Sequence, residues 1–244
     1  MPDSIPVIID TDIGGDIDDA IALAYALQNR RFSVQAVTTV GHNGKARARI
    51  VQSLMQACGT SAPIAIGSEP ACWCENFPGQ VRWATENLPP YAPHSIAAME
   101  LIHQVVTAHP GTIHLVCLGP LTNIAQAFLR YPQLPRQLAG LHIMGGELQT
   151  FRREHNFAGD YMAADQVLRT APMPFLATWS VGAQLSLHDA FLTQLSGLGT
   201  PVGDLLTQLI RAWYNGYNPI MYDIVPFLHM ETPEVVPSRQ HNVR

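Results

Sequence analysis

Five aspartates lie close together near the N-terminus, in the stretch "IIDTDIGGDIDDA" at the end of an apolar run. They are Asp10, Asp12, Asp16, Asp18 and Asp19. Carboxylates packed this densely repel one another and disfavour folding unless a positive group lies among them. Oxygen ligands with no His or Cys nearby in the sequence suit Ca²⁺ or Mg²⁺ better than zinc. We therefore predict a bound divalent cation, Ca²⁺, where the apolar run ends.

Other structures also use acidic residues in such a loop. Asp18 or Asp19 could cap a helix that begins at Ala20, but capping needs one acidic side chain and not five. An EF-hand loop counted from Asp10 would require a bidentate Glu at its twelfth position, where Ile21 stands. A Mg²⁺-dependent phosphatase of the haloacid dehalogenase type also carries D-x-D after its first strand, but takes its paired acids from a distant strand. It stays open as a remote alternative.

The segments around this stretch alternate between short β-branched runs and helical periodicity. Strands with little polar alternation, separated by helices, indicate a parallel sheet covered on both faces. The predicted strands are 5–10, 33–40, 63–67, 113–119, 141–146 and 174–181, and the predicted helices are 20–28, 46–57, 95–108, 122–128 and 162–168. We therefore predict an α/β fold with a Rossmann-like, doubly wound, mostly parallel sheet, as one domain over residues 1–244 with a surface loop at 88–93.

The chemically distinctive residues follow the predicted strands. Strand one runs into the aspartates, strand two into "VGHNG", strand four into "LGPLTN" and strand five into "MGGE". Open parallel sheets bind ligands beyond the carboxyl ends of their strands. Tight turns account for most of these glycines but not for five aspartates. The functional site is therefore expected at this edge of the sheet.

Composition narrows the class of protein. Apolar residues make up 47% of the 244 residues and charged residues 14%, which suits a globular protein with a large core. A net charge of −5 without a Lys/Arg cluster argues against a nucleic-acid partner. We expect no membrane association and a cytoplasmic location, since no membrane-length apolar stretch or leader pattern occurs. The cysteines, expected to be neither catalytic nor metal ligands, are Cys58, Cys72, Cys74 and Cys117.

Several motifs resemble those of the inosine–uridine nucleoside hydrolases, in the family's order. "DTDIGGDIDDA" (10–20) is similar to D-x-D-P-G-x-D-D-A, and "EHNFAGDYMAA" (154–164) to E-F-N-x-x-x-D-P-E-A-A. "VTTVGHN" (37–43), "LGPLTNIA" (118–125) and "IMGGE" (143–147) also match, and "YDIVP" (222–226) stands where the family has H-D-P-x-A. The resemblance implies the family's fold, Ca²⁺ as cofactor, and hydrolysis of small-molecule ribonucleosides to ribose and free base. It also implies a homo-oligomer, a dimer or tetramer.

The resemblance implies a role for each matching metal ligand. Asp12 is similar to the family's water-activating base, which also binds the metal. Asp19 resembles the bidentate metal ligand, and Asp18 the acid that also holds a ribose hydroxyl. The main-chain carbonyl of Leu118 and the carboxylate of Asp223 would complete the coordination.

Other matches concern the ribose and the surroundings of the metal. Glu154 and Asn156 resemble the pair that binds the ribose 5′- and 3′-hydroxyls, and Asn43 aligns with a further hydroxyl contact. Turn formation is the alternative interpretation of both asparagines. Asp10 would support the metal site from behind, and Asp16 falls in a two-residue expansion of the loop, without an assigned role.

The half of the site that holds the leaving base departs from the family pattern. Tyr222 stands where many members carry the His proposed to protonate the base, and a tyrosine is a poorer acid near neutrality. Leu148 replaces a frequent ribose-binding Asn, and "CWCENFPG" (72–79) replaces an H-G-x-x-G loop. The chain also ends about twenty residues after Asp223, which indicates either a C-terminally shortened member or an incomplete chain. A catalytically impaired homologue that binds ribose or nucleosides is therefore the alternative function.

Histidines and aromatic residues supply the remaining candidates. His42 and His155 flank two implied ribose contacts and are candidates for touching substrate. The aromatic candidates for stacking on a base are Trp179, Trp213, Tyr214 and Tyr217, although such residues are more often core. The histidines interpreted as structural or solvated are His94, His103, His109, His114, His142 and His188.

Overall fold

The central sheet has six parallel strands. The computed structural model describes residues 4–70, 72, 78–91, 96–214 and 218–241. The strands are β1 (Ile5–Thr11), β2 (Phe32–Thr39), β3 (Ile64–Ile66), β4 (His114–Cys117), β5 (Gly140–Met144) and β6 (Phe175–Ala177). Their order across the sheet is β3-β2-β1-β4-β5-β6. The predicted α/β class and parallel, doubly wound sheet are confirmed.

Helices connect the strands and continue beyond β6. Among the described residues they are α1 (Asp18–Gln28), α2 (Gly44–Ala57), α3 (Gly79–Asn87), α4 (Ala98–Ala108), α5 (Thr122–Arg130), α6 (Leu134–Gln137), α7 (His155–Gly159), α8 (Tyr161–Thr170), α9 (Trp179–Gly182), α10 (Asp189–Ser196), α11 (Pro201–Trp213) and α12 (Val225–Glu231). The five predicted helices are present, with ends shifted by up to three residues. None of the described helices is both long and apolar enough to span a bilayer.

The two faces of the sheet are buried in separate clusters of apolar side chains. Val7 and Ile9 of β1 belong to a cluster that includes residues of α1, α2 and α11. Ile8 points to the opposite face and joins a cluster that includes residues of α4, α5 and α8. Successive strand residues face opposite sides, so burial on both faces explains why β1 is apolar without alternation.

The strand order changes direction between β1 and β4, and there the chain creates a crevice. Asp10 is in register with Cys117, and the Leu118 N–H donates to the Asp10 carbonyl at 2.8 Å. The segments that follow these two strands therefore leave the sheet side by side. Such a switch point is where open α/β sheets bind their ligands.

The last predicted strand differs most from the structure. The run 174–181 forms a strand only over Phe175–Ala177, and α9 begins at Trp179. Among the described residues β6 is an edge strand that pairs with β5 alone, and the Trp179 N–H instead donates to the carbonyl of Gly146 at 3.0 Å. The apolar run therefore turns into a helix. Cys74, His94, Tyr217 and most of the replaced loop 72–79 lie outside the described residues.

Candidate active site

A cleft of about 400 Å³ opens beyond the carboxyl ends of the strands, on the edge of the sheet predicted from the sequence. Its lining comes from the loop between β1 and α1, the end of β4, the start of α7, α9 and the segment before α12. Of the predicted site residues, those in this lining are Asp12, Asp18, Asp19, Leu118, Glu154, Asn156, Tyr222 and Asp223. Asp16 and His155 lie there too; burial raises the pKa of Asp16, and the charge of His155 opposes part of this rise.

Three carboxylates in the cleft are close enough to share one cation. Oxygen atoms of Asp18, Asp19 and Asp223 all lie within 4.8 Å of one another, and all three residues are buried. The first two begin α1, and the third precedes α12, so the cluster joins parts of the chain about 200 residues apart. Hard cations such as Ca²⁺ and Mg²⁺ prefer this set of oxygen donors.

The charges in this cluster are not balanced by the protein alone. Burial, and then repulsion from neighbouring carboxylates, raises the pKa of Asp18, Asp19 and Asp223 well above the usual range. The chain by itself therefore favours protonated acids in the cluster. A divalent cation favours the ionised forms and reverses this preference, so the residues present fit such an ion.

Buried polar side chains from other helices hold the aspartate loop. Arg47 of α2 is fully buried and donates to the main-chain carbonyls of Asp12 and Ile13, the latter at 2.9 Å. Gln80 of α3, also fully buried, donates to the carbonyls of Gly15 and Asp16, both at 2.8 Å. These bonds satisfy loop carbonyls that would otherwise be buried without a partner. Burial and the neighbouring carboxylates raise the pKa of Asp19, and the charge of Arg47 offsets a small part of this rise, so Arg47 supplies part of the positive charge expected from the sequence.

Asp12 is packed closely against the end of β4. A Cβ atom on Gly119 would lie 2.7 Å from the Asp12 Oδ1 atom, so only glycine leaves room for this carboxylate. Asp10 lies outside the cleft lining, where it accepts hydrogen bonds from Thr38 and from the Asn123 amide, the latter at 2.7 Å. Burial raises the pKa of Asp10 to about 7. Its position fits the predicted supporting role behind the cluster.

Glu154 and Asn156 are held by the main chain. The Glu154 carboxylate accepts from the N–H groups of Gly146, Asn156 and Phe157 at 2.8–2.9 Å. The Asn156 side-chain nitrogen donates to the Leu118 carbonyl at 2.7 Å, so two predicted ligands contact each other directly. These bonds fix both side chains in the cleft and leave the Asn156 side-chain oxygen as the atom to meet a ligand hydroxyl.

Two sequence candidates at the end of β2 lie elsewhere. Asn43 is exposed, with a left-handed backbone (φ 60°) at the start of α2, and is not among the residues that line the cleft. This geometry matches the turn-forming alternative. The His42 ring pairs with Glu69 at 2.8 Å, at the surface.

An aromatic and cationic wall stands beside the carboxylates. Trp179 and Tyr222 stack with ring centroids 6.4 Å apart, and the guanidinium of Arg152 lies 4.1 Å from the Trp179 ring centre. Burial, and then the charge of Asp18, raises the pKa of Tyr222. Of the other aromatic candidates, Trp213 is buried in the core and Tyr214 is exposed.

Sequence reasoning missed Arg47, Gln80 and Arg152. Arg47 and Gln80 lie in helical segments, where charged and amide side chains usually face solvent. Only Arg152 had a sequence signal, because the pair Arg152–Arg153 directly precedes the "EHN" motif.

Comparison with known proteins identifies related sequences that belong to one enzyme family. The sequence profile of the family described as "Inosine-uridine preferring nucleoside hydrolase" matches residues 7–244. The pyrimidine-specific ribonucleoside hydrolase RihA of Salmonella arizonae is 27% identical over 221 residues, which are 85% of this chain and 70% of that protein. RihA of Enterobacter sp. (strain 638) is 28% identical over 221 residues, with the same coverage.

Solved structures share the fold. A plant nucleoside hydrolase, PpNRh1, superposes with a TM-score of 0.83 at 24% identity and covers 96% of this chain and 80% of its own. An inosine-guanosine nucleoside hydrolase superposes with a TM-score of 0.82 at 22% identity and the same coverage. At these identities the likeness concerns the fold alone.

Proposed function

This chain belongs to the inosine–uridine preferring nucleoside hydrolase family, and on that premise we propose that it hydrolyses the N-glycosidic bond of ribonucleosides to ribose and free base. The family is one of enzymes. The observation that carries the proposal is the buried triad of Asp18, Asp19 and Asp223, whose oxygens lie within 4.8 Å of one another in the same cleft as Asp12. These residues come from parts of the chain about 200 residues apart, and their burial and mutual repulsion disfavour the ionised forms unless a cation lies among them.

In the proposed site Asp12, Asp19, Asp223 and the Leu118 carbonyl would hold Ca²⁺, with Asp18 beside them. The bound ion would orient water and the ribose hydroxyls for reaction. Calcium acidifies water only weakly, so a carboxylate must act as the base, and we assign this to Asp12. Asp10 supports the cluster from behind.

The ribose is held by protein groups that lie beside the proposed metal ligands. Asp18, Glu154 and the side-chain oxygen of Asn156 accept hydrogen bonds from its hydroxyls. Asn43 keeps its predicted hydroxyl contact only if the β2–α2 turn moves towards the cleft. The sugar departs through an oxocarbenium-like transition state, whose positive charge the surrounding carboxylates stabilise. Tyr222 donates a hydrogen bond to the departing base.

The experiment measures release of reducing sugar and free base from a panel of purine and pyrimidine nucleosides, with Ca²⁺ and with a chelator. We expect Ca²⁺-dependent cleavage that falls by about 10²- to 10⁴-fold in Asp12→Asn, because the general base is lost. Asp165→Asn is the matched control, since this exposed acid lies on α8 away from the cleft and pairs with Arg169. Near-normal turnover by Asp12→Asn would remove Asp12 from the role of base.

The second candidate is a ribose- or nucleoside-binding homologue without turnover. Tyr222 at the position of an expected acid favours it, as does Leu148, which is half exposed and absent from the cleft lining. If Ca²⁺ and ribose raise the melting temperature of the wild-type protein while none of the nucleosides is cleaved, this candidate replaces the hydrolase. Membership of the family argues against the phosphatase.

A further inference from the structure

Arg152 is one of two neighbouring arginines in the cleft lining that have no task in the proposed reaction. Arg152 lies between β5 and α7, and its guanidinium carbon is 4.1 Å from the centre of the Trp179 ring. The Trp179 ring stacks in turn on Tyr222, with 6.4 Å between centroids and 27° between planes. All three side chains line the cleft that contains the carboxylates. A guanidinium, an indole and a phenol therefore form one continuous wall.

This wall is fixed to its surroundings at both ends. Glu147 accepts from the N–H and the hydroxyl of Ser180 at 2.9 and 2.6 Å, which ties the loop before Arg152 to α9. At the other end, the Tyr222 N–H donates to the Asp18 carboxylate at 3.2 Å. The aromatic wall therefore begins directly beside the group proposed to bind the sugar. A nucleoside with its ribose on the carboxylates would direct its base along this wall.

The guanidinium keeps its hydrogen-bonding capacity. Within the part of the chain that the structure describes, Arg152 forms no ion pair with a carboxylate, in contrast to Arg169 on α8. An arginine has five N–H donors in a rigid fork and stays charged at any pH of interest. Stacking on an indole holds such a cation in place without using those donors. Its fork is therefore available to a ligand that carries acceptor atoms or negative charge.

We propose that Arg152 is a catalytic residue that binds the departing base and balances the negative charge developing on it. This inference rests on the proposed function. The bond between C1′ and the base nitrogen breaks, and its electron pair passes to the nitrogen and spreads to the acceptor atoms of the base. The water oxygen forms the new bond to C1′, and its proton passes to Asp12. The base leaves as an anion paired with Arg152 and then takes a proton from solvent, to which Asp12 returns its own.

The test compares two ribosides whose leaving groups differ in how much stabilisation by the enzyme their departure requires. Uridine expels a basic anion, whereas 4-nitrophenyl β-D-ribofuranoside expels a nitrophenolate that is stable by itself. For Arg152→Gln we expect kcat/KM on uridine, or on the best nucleoside of the panel, to fall about 10- to 100-fold. On the nitrophenyl riboside it should fall no more than about threefold. Arg152→Lys, which keeps the charge, should recover part of the loss on the nucleoside.

Arg153→Gln is the matched comparison, because it removes the same charge from the adjacent position of the cleft without touching Trp179. It should change kcat/KM on the two substrates by the same factor. Equal losses on both substrates in Arg152→Gln would overturn the inference and leave the hydrolase standing, as would the same split in Arg153→Gln. A wild-type protein that cleaves neither substrate would overturn the proposed function, and the inference with it. Arg152 is exposed, so unchanged melting temperatures should accompany every variant.

Discussion

Arg47 should contribute more to stability than any other charged side chain described in the fold, because it is fully buried and serves several main-chain acceptors. Its guanidinium donates to the carbonyls of Asp12 and Ile13 and to that of His42 at 2.7 Å. Each hydrogen bond from a charged donor contributes about 1.5–3 kcal/mol. Part of this total is offset by the cost of burying the cation, which a neutral replacement does not incur. For Arg47→Met we therefore expect a net loss of about 3–5 kcal/mol in the free energy of unfolding.

The assay is thermal and urea unfolding of the variant beside the wild type. For a domain of this size, the expected loss corresponds to a fall of about 6–20 °C in melting temperature. The control is Arg49→Met, two residues along the same helix, where the side chain is partly exposed and donates to the Thr85 carbonyl at 2.8 Å. That variant should lose about 1 kcal/mol or less. Equal melting temperatures for the two variants would refute the reasoning, because burial of Arg47 and its bonds to several carbonyls would then add nothing to stability.

Two other expectations concern different parts of the molecule. Burial, and then the charges of His114 and His229, lowers the pKa of His142 from 6.5 to about 3. The unfolded chain therefore takes up the proton first, so folding stability is lost as pH falls from 6.5 towards 3. Between pH 7 and pH 5 the free energy of unfolding should fall by about 2 kcal/mol more in the wild type than in His142→Leu, as measured by urea unfolding at both pH values. A Cβ atom on Gly182 would lie 2.4 Å from a ring carbon of Tyr222 and 2.9 Å from the Tyr222 Cα. Gly182→Ala should therefore displace Tyr222 and lower kcat/KM about tenfold or more. Gly197→Ala is the control and should keep the wild-type kcat/KM, because the nearest atoms to its Cβ would be 3.5 Å away.

The sheet and the acidic half of the site could be predicted from the sequence for a physical reason. Runs such as 5–10 are apolar without alternation, which only a strand buried on both faces explains at that length. Asp12, Asp18 and Asp19 follow such a strand at a density that capping or turn formation does not require. The local sequence therefore indicates both the buried strand and the acidic site. The motifs after the other strands could be placed at the same edge because the carboxyl ends of parallel strands meet there.

The support of the site could not be predicted in the same way. Gln80 lies 64 residues from Asp16 and has the polar character of any helix surface, so its bonds to the loop depend on tertiary packing alone. Trp179 fell within a predicted strand because apolar periodicity over eight residues does not show where an edge strand loses its partner. Asn43 stays a prediction, since the motif match favours a ligand contact whereas its left-handed backbone fits the turn-forming alternative.

The arrangement of charge across the cleft connects the two halves of the site. Asp18 contacts Tyr222, the Tyr222 ring stacks on Trp179, and Arg152 lies over Trp179, so the two aromatic rings separate this cation from the acidic cluster. Cleavage of an N-glycosidic bond creates positive charge on the sugar and negative charge on the base, so the transition state is a dipole along that bond. Fixed charges that match this dipole stabilise the transition state more than the neutral substrate, which is the condition for raising kcat. Tyr222 in place of the expected histidine therefore removes a proton donor, but the charges that stabilise the departing base remain.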